Sequence, residues 1–256
     1  MVRIVTKNVL AVVCLILLAV NLPARAETLP KGEEILDKYL EATGGKAAHE
    51  KCKNRVEKGT VEIVGTDVKG ELIVYTATPN KMRSVIKLPG FGQIDEGIAD
   101  KVAWVIDPKS GPRLKEGEEK ASAILRAALD ADSDWRKYFK KVESVGEVSI
   151  EGKSCYKVVL TTSDDQVKTH YYDKTSYLLT NSEQVEKTAN GELSMELYFS
   201  EYKKVDGVLL PFKTREKADS MEFVIALDKV EHNVKVPDSR FNLPDAIKKL
   251  ADKAKK

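Results

Sequence analysis

From Asn54 onward apolar and polar residues mostly alternate with a period of two, and the gaps between the alternating runs are only a few residues long. A period of two is the signature of a strand with two unlike faces, and gaps this short join antiparallel neighbours. The runs RVEKGTVEIVG, GELIVYTATP, KMRSVIKLP, FGQIDEGIAD and KVAWVIDP are separated by turn residues at Gly65 to Gly70, Pro79–Asn80, Pro89–Gly90 and Asp100–Lys101. After a helical interruption, strands resume with KVESVGEVSIEG and continue to MEFVIALDKVEHNV, with clear turns at Asp173 to Ser176 and Ala189–Asn190–Gly191. The reading is a mainly β (α+β) chain of about eleven antiparallel strands. No strand–helix–strand repeat occurs, which removes the case for a parallel sheet.

Two stretches break the strand rhythm. In LPKGEEILDKYLEATGG, Ile35, Leu36, Tyr39 and Leu40 form a stripe at helical spacing, and Gly44–Gly45 ends it. A short helical turn over about residues 46–51 follows. In EEKASAILRAALDADSDWRKYFKKV, Ala121, Ile124, Leu125, Ala128 and Leu129 fall at i, i+3, i+4, i+7 and i+8. A further short helix is expected near the C-terminus. A long antiparallel sheet twists and curls. With both main helices over one face it becomes an unclosed half-barrel with a central helical lid over the concave face. The strand GIADKVAWVIDP is apolar on both sides, Val102, Trp104 and Ile106 against Ala103 and Val105, so both of its faces should be covered.

The first residues read as a leader. Arg3 and Lys7 precede the apolar run Val9 to Val20, and Ala24 to Ala26 offers small residues to a signal peptidase. Cleavage after Ala26 is expected, with residues 1–26 removed and 27–256 forming a single domain. The apolar run is short for a membrane span, which needs about 20 residues. The whole chain has 42 Lys and Arg against 40 Asp and Glu. Three basic residues leave with the leader, so the mature chain carries 39 against 40. That balance argues against nucleic acid or an anionic surface as an electrostatic partner. Cys52 and Cys155 remain in an exported chain, where a disulfide is permitted, and their pairing stays open.

The search for catalytic chemistry returns little. His49 and Cys52 lie three apart, but no second ligand pair completes a metal site. His170 and His232 read as ordinary strand residues. DADSDW alternates acids, yet Trp135 replaces the turn glycine and Lys141 the closing Glu of a calcium loop, so a solvated helix end is expected. No nucleophile elbow or phosphate loop occurs. No cofactor and no metal are called for. What stands out is apolar surface, and an acyl chain could be held on it with little hydrogen bonding, at about 25 cal/mol per Å² removed from water.

Several segments, taken in order, resemble the LolA/LolB-like superfamily of periplasmic lipoprotein carriers and its outer membrane lipoprotein-sorting relatives. They are LPKGEEILDKYLEATGG, GELIVYTATPNKMRSVI, IADKVAWVIDP, YYDKTSYLLTNSE and VPDSRFNLP. The resemblance implies an eleven-stranded unclosed barrel, a helical lid, and a cavity for lipid or lipoprotein acyl chains. It implies no cofactor, no enzymatic activity, a periplasmic location, and a monomer served by envelope delivery proteins. Carried onto this chain, the cavity and lid positions are Leu36, Leu40, Ile73, Tyr75, Trp104, Ile124, Leu125 and Leu129. Thr78 stands where such carriers place a lid-latching Arg before the turn Pro79, and Asp100–Lys101 replaces an Asp–Gly turn. Two other readings stay open: an envelope sensor or scaffold of the same fold that binds a partner protein, and a hydrolase with an unrecognised carboxylate site.

Overall fold

The computed structural model describes residues 28–188 and 191–254. The expected leader falls outside them. Two helices open the described chain, α1 (Gly32–Ala42) and α2 (Lys46–Lys51). Six strands follow as a meander: β1 (Asn54–Ile63), β2 (Lys69–Ala77), β3 (Lys81–Leu88), β4 (Gly92–Ala99), β5 (Val102–Asp107) and β6 (Gly111–Leu114). The helices α3 (Gly117–Ala127) and α4 (Trp135–Tyr138) lead to a second meander. It comprises β7 (Phe139–Ile150), β8 (Lys153–Thr162), β9 (Val167–Asp173), β10 (Leu179–Thr188), β11 (Gly191–Val205), β12 (Val208–Ala218) and β13 (Met221–His232). A 3-10 turn at Asp238–Phe241 and α5 (Asp245–Ala254) close the chain.

All thirteen described strands form one antiparallel sheet in the order β6-β5-β4-β3-β2-β1-β13-β12-β11-β10-β9-β8-β7. The expected class holds, and the strand count rises from about eleven to thirteen. The strand that lies outside the runs read from sequence is the short β6, in a segment that reads as a Pro- and Gly-containing loop. The two meanders meet only where β1 pairs with β13, and β6 and β7 are the free edges, so the sheet is not closed. That seam carries a register shift at Lys58/Gly59. Gly59 is required there, because a Cβ would lie 2.1 Å from the Ala226 carbonyl oxygen.

Cross-strand pairs share a face, which sorts the side chains. On the face that meets α3, Met82, Ile98 and Ala103 pack with Ala123 and Ala127. This concave face also receives α1. There Ile35, Leu36 and Trp135 form a filled core with Val142, Tyr156, Val158, Leu160 and Tyr172. Complete burial of Ile35 and Leu36 contributes about 2–3 kcal/mol each. α4 is pinned to α1 by Asp37, which accepts from Trp135 Nε1 at 3.0 Å and from both Arg136 Nη atoms at 3.0 and 2.8 Å. The opposite, convex face of β3–β6 is covered by the C-terminal segment. The 3-10 turn packs on β3 and β4, and α5 packs on β6. Both sides of the KVAWVIDP strand are therefore covered, one by α3 and one by the chain's C-terminal segment.

Candidate functional site

The concave floor runs across the seam. The registers align Ile63 with Phe223, Glu216, Leu197 and Ser182, and Val61 with Ile225, Thr214 and Phe199. Leu197, Phe199, Phe223 and Ile225 are only half-buried. α3 bridges this floor, touching β4 and β5 on one side and β10 on the other. Glu119 accepts from Arg113 at 2.7 and 2.6 Å on the first side. On the second, Ser122 donates to Gln166 at 3.1 Å and Lys187 pairs with Glu118 at 3.1 Å.

At roughly 100° per residue, the inward stripe of α3 is Glu119, Ser122, Ala123, Arg126 and Ala127. All of these except Arg126 are buried. Arg126 keeps half of its side-chain surface open to solvent. It lies 3.6 Å from Glu96, which also accepts from Lys115 at 2.5 Å. Burial alone would raise the pKa of Glu96. Arg126, Lys115 and Arg113 outweigh it and hold the carboxyl at about 2. From the opposite meander Glu186 and Glu216 add their fields at Arg126. Burial pushes Glu216 up, against the pull of Arg126. Lys168 is pushed down by burial and donates to Gln184. Burial, with help from Lys168, holds His170 at about 3, so it is a neutral ring whose Nδ1 meets the Tyr172 hydroxyl at 3.0 Å.

The other end of the concave face is polar. Arg55 shares a face of β1 with Glu57, Gly59 and Val61, because the β1–β2 register is unbroken. It lines an inner chamber of about 80 Å³ with His49, Cys52, Leu129, Asp132 and His232. An outer chamber of about 310 Å³ shares His49, Cys52 and Leu129 and adds Lys53, Asp130 and Asp134. His49 is buried, with Nε2 3.1 Å from the Thr43 hydroxyl. Burial lowers His232, and Asp206 lies 3.5 Å from its Nδ1. Burial raises Asp132, against the charge of His49 and Arg55 and a hydrogen bond from Tyr39.

No family model and no curated protein matches the chain. Solved structures do. A LolA superfamily protein from Nitrosomonas europaea superposes with a TM-score of 0.56 at 14% identity, covering 84% of this chain and 98% of that one. A DUF1329 family protein from Desulfovibrio piger gives 0.53 at 16% identity, covering 82% and 97%. An outer membrane lipoprotein-sorting protein domain from Vibrio parahaemolyticus gives 0.51 at 11%, covering 82% and 96%. The fold is LolA-like.

The LolA-like half-barrel distributes the eight residues proposed from sequence over several places. Leu36 is in the filled core under α1, and Leu40 is half-buried one turn on. Ile73, Tyr75 and Trp104 point to the convex face. Ile73 borders an open depression of about 470 Å³, Tyr75 lies under Arg240 at 4.7 Å, and Trp104 is 2% exposed. Ile124 packs against the cluster of Met82 and Ile98. Leu125 is half-buried on the β10 flank of α3, and Leu129, beyond the helix end, lines both polar chambers. Of the eight, Ile124, Leu125 and Leu129 alone lie on, or just beyond, the helix that bridges the concave face. Cys52 and Cys155 are both free thiols. The DADSDW segment is not simply solvated, since Asp132 turns into the inner chamber.

Sequence reading missed Glu96, Arg126, Glu186, Glu216 and Arg55, because alternation marks two faces without saying which is wet. The readable signal is in β10 of the LolA-like sheet. Its polar set Ser182, Gln184 and Glu186 faces inward while Val185 is 55% exposed on the outside.

Proposed function

We propose that this protein is an exported, non-enzymatic carrier of the envelope that shelters the acyl chain of a lipid or lipoprotein on the concave face beneath α3. The observation that supports this most directly is the row Ile63–Phe223 and Val61–Ile225 with Leu197 and Phe199. Beside the buried Ile63 and Val61, the side chains of Phe223, Ile225, Leu197 and Phe199 are large, apolar and left half-exposed on a floor that α3 spans. Exposed apolar surface gathered on one concave wall is the usual mark of a binding groove. Of the residues named from sequence, Ile124, Leu125 and Leu129 remain the proposed lid positions. The charges of Arg126, Glu96, Glu186 and Glu216 make the guest an amphiphile rather than a bare hydrocarbon. The LolA-like fold and the leader expected at residues 1–26 are in keeping with a periplasmic carrier.

The test is native mass spectrometry of protein purified from the envelope, paired with titration of the apolar fluorophore 1-N-phenylnaphthylamine. Co-purified lipid and fluorophore binding weakened about tenfold by Phe223→Glu are expected, since removing a buried aromatic contact and adding a charge costs about 1.4 kcal/mol or more. An empty protein with unchanged fluorophore binding in Phe223→Glu overturns the carrier reading and favours a scaffold that uses its outer surface.

A further inference from the structure

Resting on the carrier reading, we propose that the two polar chambers at the Arg55 end of the concave face form a headgroup subsite. It takes the zwitterionic headgroup of a phospholipid, with the phosphate against Arg55 and the ammonium beyond it, toward Asp134. Three features carry this. The first is linear order. Along β1 the concave residues run from Ile63 and Val61 through Gly59 and Glu57 to Arg55. Six residue steps of strand, from Val61 to Arg55, span about 20 Å. The apolar floor is therefore followed by Arg55, and Arg55 by the outer chamber that opens past His49 and Cys52. A molecule with tail, phosphate and amine in that order fits the sequence of surfaces.

The second feature is unused donor capacity. Arg55 Nε is buried and makes no hydrogen bond, although Glu57 lies 3.3 Å away as an ion-pair partner. Neither Nη of Arg55 makes a hydrogen bond among the described residues. A guanidinium offers five N–H groups in a fork that matches a phosphate. The third is residual charge in the outer chamber. Lys46 pairs with Glu50 at 3.7 Å, and Lys137 with Asp130 at 2.8 Å. Lys53 and Asp134, which also line it, have no ion-pair partner among the described residues. One free charge of each sign suits a zwitterion better than an anion. The inner chamber, at about 80 Å³, holds a compact group and no chain.

The experiment is calorimetric titration with dihexanoyl phosphatidylethanolamine below its micellar concentration. Dihexanoyl phosphatidylglycerol and inorganic phosphate are the comparison ligands. The wild type should prefer the phosphatidylethanolamine. Arg55→Gln should weaken it about tenfold while phenylnaphthylamine binding stays unchanged. Asp134→Asn should weaken the ethanolamine lipid and spare the glycerol one. Lys53→Gln, whose side chain sits at the outer chamber, should weaken both lipids and guards against a folding defect in Arg55→Gln. Equal affinity for wild type and Arg55→Gln, or no preference between the two lipids, overturns the subsite. Inorganic phosphate binding as tightly as the lipid would make it a simple anion site and also overturn the proposal. If phenylnaphthylamine binds and Phe223→Glu abolishes it while Arg55→Gln leaves lipid affinity intact, the subsite falls and the carrier reading stands. If phenylnaphthylamine fails to bind the wild type, the carrier reading itself falls.

Discussion

At the β4–β5 turn two ordinary residues take a backbone conformation that glycine adopts at no steric cost. Asp100 has φ +50° and Lys101 φ +64°. A two-residue hairpin turn of this hand favours Asp–Gly, so Lys101→Gly is expected to stabilise the protein by about 1 kcal/mol, read as a raised denaturant midpoint. Glu96 makes a second prediction. Its carboxyl is held at about 2 against an ordinary 4.5. A depressed carboxylate contributes stability that is complete above pH 4.5 and is lost as the pH falls toward 2. The size is on the order of 3 kcal/mol. Glu96→Gln should therefore flatten the acid limb of a stability–pH profile between pH 4.5 and 2. An unchanged limb would mean that Lys115 and Arg126 do not act through Glu96. The charge of Glu96 was visible in FGQIDEGIAD, but its inward direction was not. Burial depends on which neighbours cover a face, and a single strand does not record them.

The elements were more legible than their faces. α1 and α2 lie where the stripe and the double glycine put them. α3 exists as expected but ends at Ala127, before Ala128 and Leu129. Its inward stripe is small and polar: Ala123 and Ala127 pack against Met82, Ile98 and Ala103, Glu119 and Ser122 meet Arg113 and Gln166, and the helix rests on the two sheet halves by its flanks. The periodicity of Ile124 and Leu125 therefore marks flanking contacts rather than the centre of the lid. β6 was read as loop because Pro112 sits in it, and proline is tolerated on a free edge. At the seam, Gly59→Ala is expected to cost more than about 2 kcal/mol, since the added methyl would overlap the Ala226 carbonyl and force β1 from β13. Thermal unfolding measures this, and a loss under about 0.5 kcal/mol would show that the seam yields.

On the scale of the molecule, the chain passes from one meander to the other through residues 115–138, while among the described residues the two meanders pair strand to strand only at β1–β13. A single proteolytic cut in residues 128–134 should leave both fragments together on a native gel and separate them in denaturant. Immediate separation without denaturant would show the seam too weak to hold the halves. The meander organisation was legible from turn spacing. The pairing of the first strand with the last was not, because contacts between distant residues leave no local pattern. The polar-to-apolar gradient of the concave wall, from Arg55 to Ile63, gives the half-barrel a direction. A guest seated with its phosphate at Arg55 has its hydrocarbon ends nearest the β1–β2 and β12–β13 hairpins. Handover across those hairpins would then proceed tail-first, and the recipient would meet grease before charge.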